Sequence, residues 1–482
     1  MRQVNFTFPI YAKNTIRLFC LLSLSFSSCK KFVNVSAPIT SVNSENVYTS
    51  DATAIAVLTG VYTNISAGGL ANGGISAISL FPALSADELT LNATGNSMYL
   101  AYYINLLTSS NTGGSDFWNN IYPYVYTVNG AVEGLTTASG LTPAVKQQLM
   151  GEAKFLRAFL YYLLVSLYGD VPLVTGTNYT VNQSLPRTPK AEVWQQIISD
   201  LKDAQSDLSP NFLDATLLST TTERVRPTSW AATALLARAY LYTQDWNDAA
   251  AQSTAVINNS SMFTLAPDLD SVFLMNSTEA IWQLQPVIAG DNTFDALLFI
   301  LPSSGPDNAN YPVYLDTLLV NSFEPGDARR INWIDSVIVN GVVYYYPSKY
   351  KVNTILAPVT EYEMVLRLAE QYLIRAESNT MIGNFTAAIN DLDTVRSRAG
   401  LPGTSAGDQT SLITAILHER QVELFTEWGH RWLDLKRTGT VGSVMGIVTP
   451  LKGGAWNAND QLYPIPLTDM QADPNLVQNA GY

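Results

Sequence analysis

The segment Glu152–Tyr168 (EAKFLRAFLYYLLVSLY) is apolar on almost every side once Arg157 is passed. A helix without a polar face must be buried among other helices. Gly169 is placed to end it, and Val171-Pro172-Leu173 leads the chain away. Downstream, Thr188 is expected to cap a helix whose first residue is Pro189. Trp194, Ile197, Leu201, Ala204 and Leu208 follow there at helical spacing. Upstream, residues 51–63 read as a helix with Ile55, Leu58, Val61 and Tyr62 on one side.

Two further segments share a layout. Ala234–Tyr242, Gln244-Asp245-Trp246 and Ala249–Ile257 form one; Tyr372–Glu377, Ile382–Phe385 and Ala387–Val395 form the other. In each, a helix rich in small residues turns before an aromatic and a second Ala-rich helix follows. This is the layout of a tetratricopeptide hairpin, in which Ala lets two helices approach closely. The copies lie too far apart for a tandem array. Between them, Ala280–Gln285 reads as a strand, and Val337–Tyr346 as a hairpin turning at Asn340-Gly341. Pro302, Gly305-Pro306, Pro312 and Pro325-Gly326 punctuate the rest. The expected body is mainly α. It has an N-terminal helical part (51–260), a loop-rich part with a few short strands (261–360) and a C-terminal helical part (361–482).

The N-terminus reads as an export signal. Arg2, Lys13 and Arg17 precede the apolar run Leu18–Phe26, which is too short to span a bilayer, and Ser27-Ser28-Cys29 follows. Small residues before a cysteine suit lipoprotein processing, so residues 1–28 are expected to be removed, Cys29 lipidated, and 29–50 left as a tether. Phe26 stands where such signals usually have Leu. No cysteine follows Cys29, so a mature chain beginning there has neither a disulfide nor a Cys-based metal site or nucleophile.

The formal charge is −13, and residues 1–28 contain three bases and no acid, leaving 24 basic against 40 acidic residues. Such a surface repels a phosphate backbone, so no nucleic-acid partner is expected. Tyr (25) and Trp (9) supply flat faces with a polar edge, the combination that suits sugar rings, although most aromatics in any chain are packing residues.

No motif points to catalysis, a cofactor or a metal. His418-Glu419 lacks the second His that a metallopeptidase helix needs, since position 422 is Val. The stripe Val422, Phe425, Trp428, Trp432, Leu435 reads instead as one packed helix face, with Glu427 and Arg431 spaced to pair across a turn. Asp268-Leu-Asp270 lacks the other ligands of a calcium loop and reads as a turn; calcium held across several loops stays open. No two acids are singled out as a glycosidase pair. Candidate binding residues therefore come from loops: Asp87, Asn92, Asn96 and an outward-facing Tyr99 in one segment, and Asn292, Phe294, Asn308 and Tyr311 in another.

Several motifs in order resemble the SusD/RagB family. They are Cys29-Lys-Lys-Phe, Glu152–Phe159 with Tyr168–Val174, Arg226-Pro-Thr with Ala237–Tyr242, His418–Phe425 with Gly429–Arg437, and Tyr463-Pro-Ile-Pro with Asn475–Tyr482. They span essentially the whole chain. The resemblance implies four tetratricopeptide-like hairpins and an irregular ligand-binding part, with both loop segments near the ligand face. It implies a non-catalytic outer-membrane lipoprotein that hands glycans or other large nutrients to a SusC-type TonB-dependent transporter. A tetratricopeptide scaffold for cell-envelope partners and a glycan hydrolase are the rival readings.

Overall fold

An all-round apolar helix needs neighbours on every side, and the chain supplies them as a succession of helices. The computed structural model describes residues 47–68, 75–92, 97–111 and 117–482, so Cys29 and Asn96 lie outside the described residues. The principal helices are α1 (Asp51–Ala67), α2 (Phe117–Thr137), α3 (Pro143–Tyr168), α4 (Lys190–Asp207), α5 (Ser229–Tyr242), α6 (Trp246–Asn258), α7 (Leu368–Met381), α8 (Phe385–Arg398), α9 (Gln409–Glu423) and α10 (His430–Arg437). From α2 to α7 each packs on the next, and α7 packs on both α8 and α9. Residues Tyr48–Tyr482 form one compact unit.

The apolar helix is the heart of α3. From Ala153 to Leu167 nearly every side chain is buried, and Gly169 ends the helix at φ +75°, a conformation that favours glycine. The two hairpins expected from the Ala-rich segments are α5–α6 and α7–α8, turning through Gln244 (φ 62°) and Gly383 (φ 82°). Charges caught between helices are paired, because an unpaired buried charge is costly. Arg157 on α3 grips Asp200 on α4 at 2.8 and 2.6 Å, and Arg238 on α5 grips Glu370 on α7 at 2.7 and 2.6 Å.

Among the described residues, six short strands make three two-stranded antiparallel sheets. β1 (Leu89–Leu91) pairs with β3 (Val313–Leu315), β2 (Ala280–Leu284) with β6 (Glu363–Arg367), and β4 (Ile334–Val339) with β5 (Val342–Pro347). The β4–β5 turn is the expected Asn340-Gly341, at φ 51° and 81°. β2 ties the middle of the chain to the helices. Its Trp282 is fully buried, meeting Phe155 and Phe159 of α3 edge-on at 5.0 and 5.3 Å.

Two local expectations are corrected. Thr188 does not cap α4. Its backbone makes a bridge with Val171, and the Asp170 carboxylate accepts the Lys190 amide at 2.8 Å instead. The stripe from Val422 to Leu435 is not one helix. α9 ends at Glu423, and the chain turns through Thr426 (φ 53°), Trp428 (φ 46°) and Gly429 (φ 72°) before α10. All five apolar residues are still buried.

The expected Glu427–Arg431 pair is also replaced. Glu427 bonds Arg367 at 2.8 and 2.9 Å, while Arg431 holds Asp87. Around the break, Arg329, Arg367 and Arg398 are locked by Asp327, Glu279, Glu419, Glu423 and Glu427, all with buried side chains. Burial would raise the Glu423 carboxyl, but Arg398, Arg367 and Arg329 hold it well below the usual range.

Candidate functional site

The two loop segments meet where β1 pairs with β3. Leu89, Leu91, Val313 and Leu315 turn inward, which leaves Thr90 and Tyr314 facing each other on the outer side. The pairing extends past the strand ends: the Asn92 amide donates to the Pro312 carbonyl at 2.8 Å and the Asp316 amide to the Glu88 carbonyl at 2.8 Å. Asn92 Nδ2 then donates to Asn308 Oδ1 at 3.2 Å. The Asn308 turn is held by the Asp307 carboxylate, which accepts the amides of Ala309, Asn310 and Tyr311 at 2.7, 2.6 and 3.0 Å. Those bonds keep the Asp307 carboxyl low.

Aromatic rings border this polar strip. The Tyr314 and Tyr344 rings meet edge-to-face at 5.1 Å and 87°, which brings the β4–β5 hairpin against β3. Tyr103 is hydrogen-bonded to Thr90, and Thr90 Oγ1 donates to Asp316 at 2.9 Å. Burial, with Asp316 nearby, pushes the Tyr103 hydroxyl up to about 12, so it stays a neutral donor and acceptor. Tyr103, Tyr314 and Tyr344 are all half-exposed. Ring faces beside amide and hydroxyl groups can stack a sugar ring and bond its hydroxyls.

Of the residues chosen from the sequence, Asn92, Asn308 and Tyr311 come together here. The others lie elsewhere. Asp87 is buried and gripped by Arg431 at 2.8 and 2.6 Å. Burial opposes ionisation of Asp87, but Arg431 prevails and holds its carboxyl low. Tyr99, expected to face outward, is only 4% exposed and packs on Phe81 at 5.6 Å. Asn292 is buried, accepting the amides of Thr360 and Glu361 at 2.8 and 3.1 Å and donating to the Pro358 carbonyl. Phe294 begins the short helix Phe294–Phe299, and with Asn292 lines a cavity of about 20 Å³.

Sequence reasoning missed Thr90, Tyr103, Tyr314 and Tyr344. The alternation Val313-Tyr314-Leu315 does place Tyr314 opposite two buried neighbours. Nothing local places it beside a hairpin tip thirty residues on. Among the described residues, no group of three or more His, Cys, Asp or Glu is arranged to hold a metal ion.

A helical-hairpin scaffold carrying a small aromatic and amide surface defines a binding-protein class. The family model described as "Starch-binding associating with outer membrane" (SusD-like) matches residues 32–241, and that of the SusD family matches residues 338–482. The chain belongs to the SusD/RagB family. A SusD-like protein of Formosa agariphila is 24% identical, over 97% of this chain and 99% of that one. A second SusD-like protein of the same organism is 27% identical over 79% of this chain and 83% of its own length. Among solved structures, a SusD superfamily protein from Bacteroides vulgatus superposes with a TM-score of 0.77 at 20% identity, covering 90% of this chain and 100% of that one. A laminarin-binding SusD-like protein superposes with a TM-score of 0.72 at 23% identity, covering 89% and 99%.

Proposed function

We propose that this protein captures glycans at the cell surface and delivers them, unmodified, to a SusC-type TonB-dependent transporter in the outer membrane. Residues 1–28 act as the signal, and a lipid on Cys29 tethers the body through residues 29–50. The observation that carries the binding reading is the meeting of Asn92, Asn308, Tyr314 and Tyr344 at the β1–β3 pair. Sugars are recognised there by stacking and by neutral hydrogen-bonding groups.

A hydrolytic reading finds less support. Asp295 and Glu363 are raised well above the usual carboxyl range, first by burial and then by neighbouring acids. They border cavities of about 10 and 20 Å³, room for at most a water and too small for a sugar ring. The acids at the β1–β3 surface are tied to local backbone: Asp307 as above, and Asp316 by capping the Leu318 amide at 2.8 Å.

The test is a panel of neutral oligosaccharides offered to the full lipidated chain in detergent, with binding and released reducing ends both measured. Binding without turnover, together with co-purification of a large outer-membrane barrel from native membranes, is expected. Release of reducing sugar, or no binding to any glycan, overturns the reading.

A further inference from the structure

A second feature shares no residue with the tyrosine surface. The C-terminal ends of α3 and α5, the start of α4, α10 and the C-terminal segment line an open cavity of about 770 Å³, well within the size of small-ligand pockets. The surrounding protein is strongly acidic, yet this cavity is lined by Arg187, Lys190, Lys436 and Arg437 and by a single acid, Asp170. Arg437 is neutralised by Asp434 and Glu377.

The other three cations have no carboxylate within ion-pairing distance among the described residues. Lys436 Nζ donates to the Ser166 carbonyl, which leaves two of its three donors unused. Arg187 is held only by neutral groups: the carbonyls of Asp170, Val477 and Tyr168 and the side-chain oxygen of Asn479. Burial, followed by the repulsion of Lys190, pushes Lys436 down to about 7. The Ser166 hydroxyl on the same wall is out of solvent with no hydrogen-bond partner. Asp170, the acid that could answer these charges, is already capping α4. A wall of Trp194 stands beside them, its ring fixed by Tyr242 at 5.6 Å.

Of the three, Lys436 is the desolvated one, faced by the Trp432 and Tyr463 rings at 5.8 and 6.0 Å and, among the described residues, by no carboxylate. Retaining such a charge costs stability unless something anionic completes the site. We propose that this cavity binds an anionic sugar unit, a ring bearing a carboxylate or sulfate ester. The anionic group sits on Lys436, with Lys190 and Arg187 close by, and the ring lies against Trp194. Carboxylate and sulfate present the same negatively charged oxygens to these donors, while the Trp face selects a ring over a bare ion.

The full chain is titrated calorimetrically at low salt with D-glucuronate, D-galactose 6-sulfate, inorganic sulfate and D-glucose. Either or both charged sugars are expected to bind at least tenfold more tightly than glucose and than inorganic sulfate. Lys436→Met, which removes the charge and keeps the length, is expected to lower that affinity by about tenfold or more. Lys190→Gln, at an exposed position, lowers it a few-fold and keeps the test open if K436M fails to fold. Tyr314→Ala leaves it unchanged, separating this site from the tyrosine surface. Charged sugars no tighter than glucose, inorganic sulfate binding as well as either sugar, or affinities untouched in the folded lysine variants would each overturn the proposal.

Discussion

Polar groups are treated in opposite ways in two regions of this molecule. Around the α9–α10 break, Arg329, Arg367 and Arg398 are locked by buried carboxylates from three separate stretches of chain. At the β1–β3 surface, the Asn92, Asn308, Thr90 and Tyr103 side chains make one or two hydrogen bonds each, Tyr314 and Tyr344 meet ring to ring, and all six stay half open to solvent or more. The first region has nearly all of its donors and acceptors engaged and is closed to solvent. The second keeps donors, acceptors and ring faces available. Charge density is therefore a poor guide to ligand-accessible surface here, and residual hydrogen-bonding capacity is a better one.

The sharpest way to break the contrast is Arg367→Met. It leaves Glu279, Glu423 and Glu427 sharing one buried site with fewer partners, and should cost about 3–5 kcal/mol in denaturant unfolding. Glycan affinity of the folded fraction should be unchanged.

Glu88, buried beneath β1, gives a pH-dependent test. Burial, then repulsion by Asp87, raises its carboxyl to about 8. Its neutral form therefore favours folding. That contribution is complete below the unfolded carboxyl value near 4.5 and is lost as pH rises through about 8. Glu88→Gln should gain stability over the parent between pH 6 and 9, by about 3 kcal/mol at the upper end. Parallel unfolding curves for the two proteins across that range would refute the assignment.

Effects at the open surface should be smaller and fall on binding. Tyr314→Ala is expected to weaken glycan binding by about tenfold or more, while the unfolding midpoint moves little. Asn92→Ala removes the link to Asn308 and should weaken binding a few-fold, consistent with about 1 kcal/mol for one hydrogen bond. A large stability loss in either variant would mean that the surface resembles the charge network after all.

The family resemblance was legible because its motifs are scaffold residues. Glu152, Arg157, Arg226, Arg238, Glu423 and Asp434 all lie in buried ion pairs, and geometry of that kind demands particular residue types. The proposed site was only half legible. Asn92, Asn308 and Tyr311 were found as polar or aromatic loop residues, but Asp87, Asn292 and Tyr99 look the same in sequence and are buried. An Asp on a loop does not reveal whether an Arg more than three hundred residues away will reach it, as Arg431 reaches Asp87.

Helical period, small-residue faces and turn signals alone determined the all-round burial of α3, both Ala-rich hairpins and the Asn340-Gly341 turn, because each depends on neighbours a few residues away. Tertiary structure decided the rest: the α9–α10 break, the replacement of Thr188 by Asp170 as the cap of α4, and the joining of residues 89–92 to 308–315 as one surface. Those outcomes depend on which distant partners compete for each polar group. Local pattern carries no record of that competition.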